Sequence, residues 1–318
     1  MTLLGIEIGG TKLQFGLGMG DGKLLRLKRL AVEPGRGGAG IQDQIELTIP
    51  RLLEETHSNT LRLGAIGVGF GGPVDDTTRR VIKSHQIEGW DNFPLAEWLE
   101  GRFRVPVALG NDADVAGLAE AHFGAGRGVS PIFYMTLGSG IGGALIIDGC
   151  IYRGCGRGAA EIGHLRGWRA GDPGQPASWQ ILEDVASGWS IERRARILAR
   201  NQAHLFVPVA DPALMTVKDV GAAASAGLDW AQQLLLETWT ELAESLCQVI
   251  ALLAPKRIVI GGGVSMMGES YLFRPLRRLV AERVFHPFAG SYEIVPAALG
   301  EEVVVHGAIE LAKQATSD

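Results

Sequence analysis

The stretch Leu3-Leu4-Gly5-Ile6-Glu7-Ile8-Gly9-Gly10-Thr11-Lys12-Leu13-Gln14-Phe15-Gly16-Leu17 decides the fold. Leu3 to Ile8 is apolar and β-prone, Gly9-Gly10-Thr11-Lys12 is a glycine corner, and Leu13 to Leu17 resumes the apolar pattern. Together they read as strand, turn and returning strand. The same grammar recurs at Ile132 to Leu137, then Gly138-Ser139-Gly140-Ile141-Gly142-Gly143, then Ala144 to Ile147 before an Asp148-Gly149 turn. Two copies of one opening suggest two related domains. Length agrees, since 318 residues exceed one ordinary domain and fit two that share a cleft, each able to bury a core.

Between the copies, Leu63 to Phe70 reads as a strand ending in Gly71-Gly72-Pro73, and Val105 to Leu109 as one ending in Gly110-Asn111-Asp112. Ala113 to Phe123 carries apolar residues at helical spacing, with Asn111 or Asp112 suited to cap it. Ser187 to Ala254 is mostly helical in pattern, broken by prolines near Val207 to Leu214. Arg257 to Ile260 is a buried strand running into Gly261-Gly262-Gly263, and Val303 to Gln314 reads as a final helix. Strands alternating with helices predict α/β layers.

Composition excludes several classes. Net charge is −5, and the short Arg193, Arg194, Arg196 cluster, expected on a helix surface facing water, is no nucleic-acid footprint. Glu237, Glu241 and Glu244 interrupt the apolar stretch Trp230 to Leu253 well short of the ~18 apolar residues of a membrane span. Cys150, Cys155 and Cys247 have no paired or metal-like spacing, which suits free thiols in a reducing compartment and makes the cytoplasm the expected location. MTLLGIEIGG has no basic n-region before its apolar stretch, so no signal peptide is expected.

Gly138, Gly140 and Gly143 spell G-x-G-x-x-G, with Glu161 downstream where a dinucleotide fold places its ribose acid. That rival reading needs a helix to start at the glycines, whereas Ala144 to Ile147 is a short apolar run cut off by Asp148-Gly149, which favours a strand. No G-x-x-x-x-G-K-[ST] is present. A glycine turn between strands can instead aim successive backbone N–H groups into one concavity and hold phosphate oxygens, and two facing hairpins would clamp a polyphosphate. Thr11 adds a hydroxyl and Lys12 a point charge, against the commoner fate of a solvated lysine. Glu7, a carboxylate in an apolar strand, is costly to bury unless paired or near a metal, and lying one shell from Mg²⁺ is a natural use. Asp112 is the sharpest candidate for chemistry: phosphoryl transfer from ATP to an alcohol needs in-line positioning, Mg²⁺ and a carboxylate to take the hydroxyl proton. The plain alternative is a helix cap. Glu161, His164 and Glu183 offer polar groups for vicinal sugar hydroxyls, although His164 alone reads as an ordinary histidine.

Five motifs in order, Ile6-Glu7-Ile8-Gly9-Gly10-Thr11-Lys12, Gly110-Asn111-Asp112-Ala113-Asp114, Thr136 to Gly143, Glu161-Ile162-Gly163-His164 and Ile260-Gly261-Gly262-Gly263-Val264-Ser265, resemble the ROK family of sugar kinases and sugar-responsive repressors over nearly the whole chain. The resemblance implies the actin-like ATPase (ribonuclease H-like) fold, two α/β domains around an ATP and sugar cleft, and a homodimer. The division it implies is 1–115, completed by the C-terminal helix 303–318, and 116–302. By position, Gly9, Gly10, Thr11, Lys12, Gly138, Ser139 and Gly140 would hold ATP phosphates, and Gly261, Gly262 and Gly263 would approach the adenosine. Asp112 matches the catalytic base. Asn111, Glu161, His164 and Glu183 match the sugar-binding set, with Gly72 in the pocket loop Gly71 to Val74.

Two departures stand out. The family usually opens its first motif with Asp, where this chain has Glu7. Most members also follow the His of E-x-G-H with three cysteines that complete a structural zinc site. Here those positions hold Gly174, Pro176 and Ile181, so a Cys₃His site cannot form and no zinc is expected. The activity implied is an ATP-dependent hexose kinase, glucokinase-like, with fructose and N-acetylhexosamines as alternative acceptors. From another class comes a non-catalytic sugar sensor. The family's repressors carry a winged-helix region ahead of the first motif, which here starts at residue 6, so no DNA partner is expected.

Overall fold

In a computed structural model, residues 1–55, 62–84, 86–156, 158–169, 171–201, 209 and 211–316 are described. In chain order the elements are β1 (Thr2–Ile8), β2 (Lys12–Gly18), β3 (Leu24–Ala31), α1 (Gly37–Glu54), β4 (Leu63–Phe70), β5 (Val74–Asp75), β6 (Arg80–Val81), α2 (Leu95–Phe103), β7 (Val107–Asn111), α3 (Asp112–Phe123), β8 (Ile132–Leu137), β9 (Ile141–Ile147) and β10 (Cys150–Ile151). There follow β11 (Arg166–Arg169), β12 (Ser178–Ile181), α4 (Glu183–Ala186), α5 (Gly188–Asn201), α6 (Val217–Ser225), α7 (Asp229–Leu253), β13 (Arg257–Gly261), α8 (Arg274–Arg283), β14 (Glu293–Pro296) and α9 (Val303–Gln314). The chain divides into unit 1, Met1–Val129 with Ala144–Ala159 and Ala298–Asp318, and unit 2, Ser130–Gly143 with Ala160–Ala297. The boundary expected after residue 115 falls inside α3, whose contacts with α9 and β4 keep it in unit 1.

Unit 1 is built on a sheet of order β3-β2-β1-β4-β7. Alternation sends Leu4, Ile6 and Ile8 of β1 to one face, where they pack with Ile41, Ile45 and Ile49 of α1 and Leu95 and Leu99 of α2. Leu3 points the other way, toward Val305 and Ile309 of α9. On that face α9 seats backbone against backbone: a Cβ on Gly67 would overlap the Ala308 carbonyl, and one on Gly5 would lie 2.5 Å from that of Val305. Strands β1, β4 and β7 are parallel, and Ile8 pairs with Phe70 and Phe70 with Asn111, so all three end on one edge. In open α/β sheets that carboxyl edge is where ligands bind.

The second sheet has the order β10-β9-β8-β13-β14. Taken by their order along the chain, its strands lie third-second-first-fourth-fifth, and those of the first sheet do the same, which is the repeat that the paired hairpins predict. In unit 2, β8, β13 and β14 run parallel, and Phe133, Met135, Ile258 and Ile260 pack with Trp239, Leu242 and Leu246 of α7.

Three expectations shift. Strand β7 begins at Val107, two residues late, because Pro106 has no N–H to pair and serves only as acceptor for Ile66. It then absorbs Gly110 and Asn111 and hands over to α3 at Asp112. Strand β9 begins at Ile141, and no helix starts at the glycines, which removes the dinucleotide reading. The basic cluster faces water only at Arg193: Arg194 lies on the inner stripe of α5 with Ile191 and Ala195 and bonds Glu237 at 2.6 Å, and Arg196 is half-buried against Glu192 and the Met215 carbonyl. The expected proline break lies partly outside the described residues, at 207–208 and 210; Pro212–Leu214 forms a single 3₁₀ turn.

Candidate active site

In unit 1 the strand exits bring the predicted residues together. The Gly71 N–H donates to the Ile8 carbonyl at 2.8 Å, tying the end of β4 to the end of β1. A Cβ on Gly71 would lie 3.5 Å from Gly9 Cα and 3.6 Å from Asp112 Oδ2, which places the carboxylate beside the first glycine corner. Asn111 is the cap of α3: its Oδ1 accepts from the Ala113 N–H at 2.8 Å, and its Nδ2 donates to the Gly72 carbonyl at 3.0 Å. Asp112 therefore stands inside the first turn. Its Oδ1 shares the Ala113 N–H at 2.8 Å, while Oδ2 is the oxygen turned toward Gly71.

Glu7 lies on the α9 face of β1, directly opposite Gln14 on β2. Gln14 Nε2 donates to Glu7 Oε2 at 2.5 Å, and Lys12 Nζ lies 3.3 Å from Glu7 Oε1. Gln14 is itself held by the Glu301 carbonyl and Arg29. Burial nonetheless raises the Glu7 pKa; Lys12 and Gln14 oppose the rise and Glu301 adds to it. The lysine expected to serve phosphate thus also balances a desolvated carboxylate.

In unit 2 the second glycine corner is braced by two helix starts. The Gly188 N–H at the head of α5 donates to the Gly138 carbonyl at 2.8 Å. Glu183, first residue of α4, accepts the Ile141 N–H on Oε2 at 2.6 Å, and a Cβ on Gly140 would lie 2.5 Å from that oxygen. Gly262 has φ +88°, and a Cβ there would sit 2.5 Å from the Leu137 carbonyl, so the corner after β13 packs on the corner after β8. Gly138 and Gly263 differ, because a Cβ on either meets nothing within 4 Å. Neither has a positive φ, so nothing within the described protein requires glycine there. Glu161 precedes a single 3₁₀ turn, Ile162–His164, which His164 ends, and both residues are exposed. The protein around the Glu161 carboxyl desolvates it and raises its pKa, with the charge of His164 opposing the rise and that of Glu183 reinforcing it.

The ROK family profile matches residues 3–315. The chain belongs to the ROK family. It is 31% identical to a glucokinase of Thermotoga maritima, over 99% of this chain and 98% of the relative. A ROK family glucokinase of Streptomyces griseus, solved with glucose and AMPPNP, is 30% identical and superimposes with a TM-score of 0.78 over 99% of this chain and all of that one. A ROK hexokinase of Thermus thermophilus gives 0.81 at 26% identity over the full length of both. The fold is the actin-like ATPase fold expected of a ROK protein.

Within this ROK chain some site residues escape a motif reading. Gln14 is one, although hairpin register through the Gly9 to Thr11 corner places it opposite Glu7. Gln86 covers Gly10, where its side chain fills the space of a Cβ, and nothing local in the sequence signals it. Gly188 is the third: its Cβ would lie 2.6 Å from the Gly138 carbonyl, a contact between residues 50 positions apart. Gly174 and Pro176 lie exposed in the connection between β11 and β12, and Ile181 ends β12.

Proposed function

We propose that this chain is an ATP-dependent hexose kinase of the glucokinase type, in which Asp112 takes the proton of a sugar hydroxyl as that oxygen attacks the γ-phosphorus. The observation that carries the reading is the placement of Asp112: Asn111 fills the capping position, and the aspartate stands at the carboxyl edge of three parallel strands beside Gly9 and Gly71. A carboxylate is the right group there, since phosphoryl transfer asks the protein mainly for positioning, charge neutralisation and an acceptor for the hydroxyl proton. Asn111, Gly72, Glu161, His164 and Glu183 take the sugar; Gly9 to Lys12 and Gly138 to Gly140 take the phosphates; Gly261 to Gly263 take the adenosine. In support, the open space at Gly138 and Gly263 is what a closely approaching ligand requires.

Mg²⁺ bound with ATP would neutralise phosphate oxygens and be held through water by Glu7. Glu7 fits that duty: each carboxylate oxygen has a second acceptor site beyond Gln14 and Lys12, and a desolvated acid gains from a nearby cation. Glucose is the acceptor favoured by the likeness to glucokinases. The chain acts as a homodimer in the cytoplasm, the first by the ROK resemblance and the second in keeping with three free cysteines. The test is ADP release with ATP and a panel of glucose, fructose, N-acetylmannosamine and N-acetylglucosamine. Saturable sugar binding without turnover on any of them would make the protein a sensor instead.

A further inference from the structure

The segment joining His164 to Glu183 holds a device that the sequence does not announce. Strands β11 and β12 form a hairpin in which Trp168 faces Trp179, with both rings exposed and edge-to-face at 6.2 Å between centroids. The next residue, Arg169, points the opposite way and is 3% exposed. Its guanidinium lies back over Gly167, where a Cβ would sit 3.2 Å from Cζ, so a larger residue there would press on the guanidinium. Nη1 donates to Glu241 Oε2 at 2.6 Å, and Nη2 donates to Ser245 Oγ at 3.1 Å and to the Leu165 carbonyl at 3.3 Å. Glu241 and Ser245 are one turn apart on α7.

The Leu165 carbonyl is the junction. It also accepts the Leu182 N–H at 3.0 Å. Leu165 follows His164 and Leu182 precedes Glu183, so one oxygen ties the backbone of both residues, and Arg169 anchors that oxygen to the longest helix of unit 2. A buried guanidinium whose bonds fix a backbone carbonyl is rigid, because losing any partner strands a charge away from water.

We propose that Arg169 is a positioning residue for sugar binding: through Leu165 it holds His164 and Glu183 at a fixed separation, and with Glu241 it fills the clamping role that a metal would otherwise take in this segment. The inference rests on the proposed hexose kinase reading for its kinetic consequence and on geometry alone for its mechanical one. Arg169→Met keeps the length of the side chain and removes the fork, Arg169→Lys keeps the charge, and Glu241→Gln loosens the anchor from the partly exposed side. In Arg169→Met the KM for hexose should rise about tenfold or more, with KM for ATP within about twofold. Arg169→Lys should recover part of the loss, and Glu241→Gln should shift in the same direction, which keeps the test decisive if Arg169→Met does not fold. Hydrogen exchange should quicken across 161–183 in these variants and stay unchanged across 2–18, the first hairpin. Unchanged exchange in 161–183, or hexose and ATP KM rising together in folded variants, would overturn the clamp. Failure of the wild type to phosphorylate any hexose removes the functional reading, while faster exchange in 161–183 would still uphold the clamp.

Discussion

Asn111 donates to the Gly72 carbonyl at 3.0 Å, and this one bond links the end of β7 to the loop after β4 while the same side chain caps α3. Asn111 occupies the cap position, and Asp112, one residue inside the helix, only shares the Ala113 N–H, so capping is not the sole duty open to the aspartate. Replacing Asp112 with Asn should therefore leave the fold intact and reduce kcat about 10²-fold or more, with sugar affinity largely kept, the scale of a lost general base. Steady-state kinetics beside sugar titration separates the two quantities; near-normal kcat would remove Asp112 from the role. Asn111→Ala should behave otherwise, costing about 1 kcal/mol of stability through the cap and weakening sugar binding as Gly72 is released.

Glu7 sets a pH dependence whose sign follows from its burial. Its pKa in the fold is raised above the ordinary 4.5, chiefly by desolvation, so the fold holds its proton more tightly than the unfolded chain does. Stability from this group is greatest below the unfolded pKa and is lost as pH climbs from about 4.5 through the raised folded value. Glu7→Gln should then be more stable than wild type at pH 7, with the advantage fading as pH falls to 4, while turnover declines. Gln14 can still donate to the new amide oxygen, and Lys12, partly exposed, can be solvated. Thermal melts at both pH values check this, and a variant less stable than wild type at pH 7 would contradict it.

Gly138 offers a sharper test of the glycine corners than Gly140 does. With no positive φ and nothing near its missing Cβ, Gly138→Ala should melt within a few degrees of wild type, or slightly higher because alanine restricts the unfolded chain. Its KM for ATP should nonetheless rise about tenfold or more, because the methyl group enters space reserved for phosphate. Unchanged ATP kinetics would show that the open space faces solvent only. At Gly140 the same substitution pushes Glu183 off the Ile141 N–H, so its effects on sugar and nucleotide would be mixed.

The corners themselves were legible because apolar β-prone runs punctuated by glycine leave few alternatives: β4, β8 and α9 have the limits that their patterns predict. The pairing of Glu7 with Gln14 was within reach too, since a hairpin's register follows from its turn. What the sequence hid is of another kind. Arg194 sits in a run of arginines that reads as a solvated face, and its burial is decided by Glu237 on a different helix. Arg169 and Glu241 are 72 residues apart, and neither has a local reason to be buried or paired. Absent cysteines could be counted, but a hairpin closed by facing tryptophans could not be foreseen without its register.

That hairpin leads to an expectation about metal. Gly174, Pro176 and Ile181 offer no thiolates, and the segment is closed instead by the Trp168–Trp179 pair on its exposed face and by Arg169 on its buried one. An edge-to-face aromatic pair contributes about 0.5–1.5 kcal/mol beyond its area, and 1 kcal/mol moves the melting point of a domain of this size class by about 2–4 °C. Trp179→Ala should accordingly lower Tm by a few degrees and no more, because the ion pair beneath it remains. Dialysis against a zinc-selective chelator should alter neither Tm nor the KM for sugar. A chelator-sensitive Tm restored by added zinc would mean that His164 serves a metal after all, and the hairpin would then be an accessory to that ion and not its replacement.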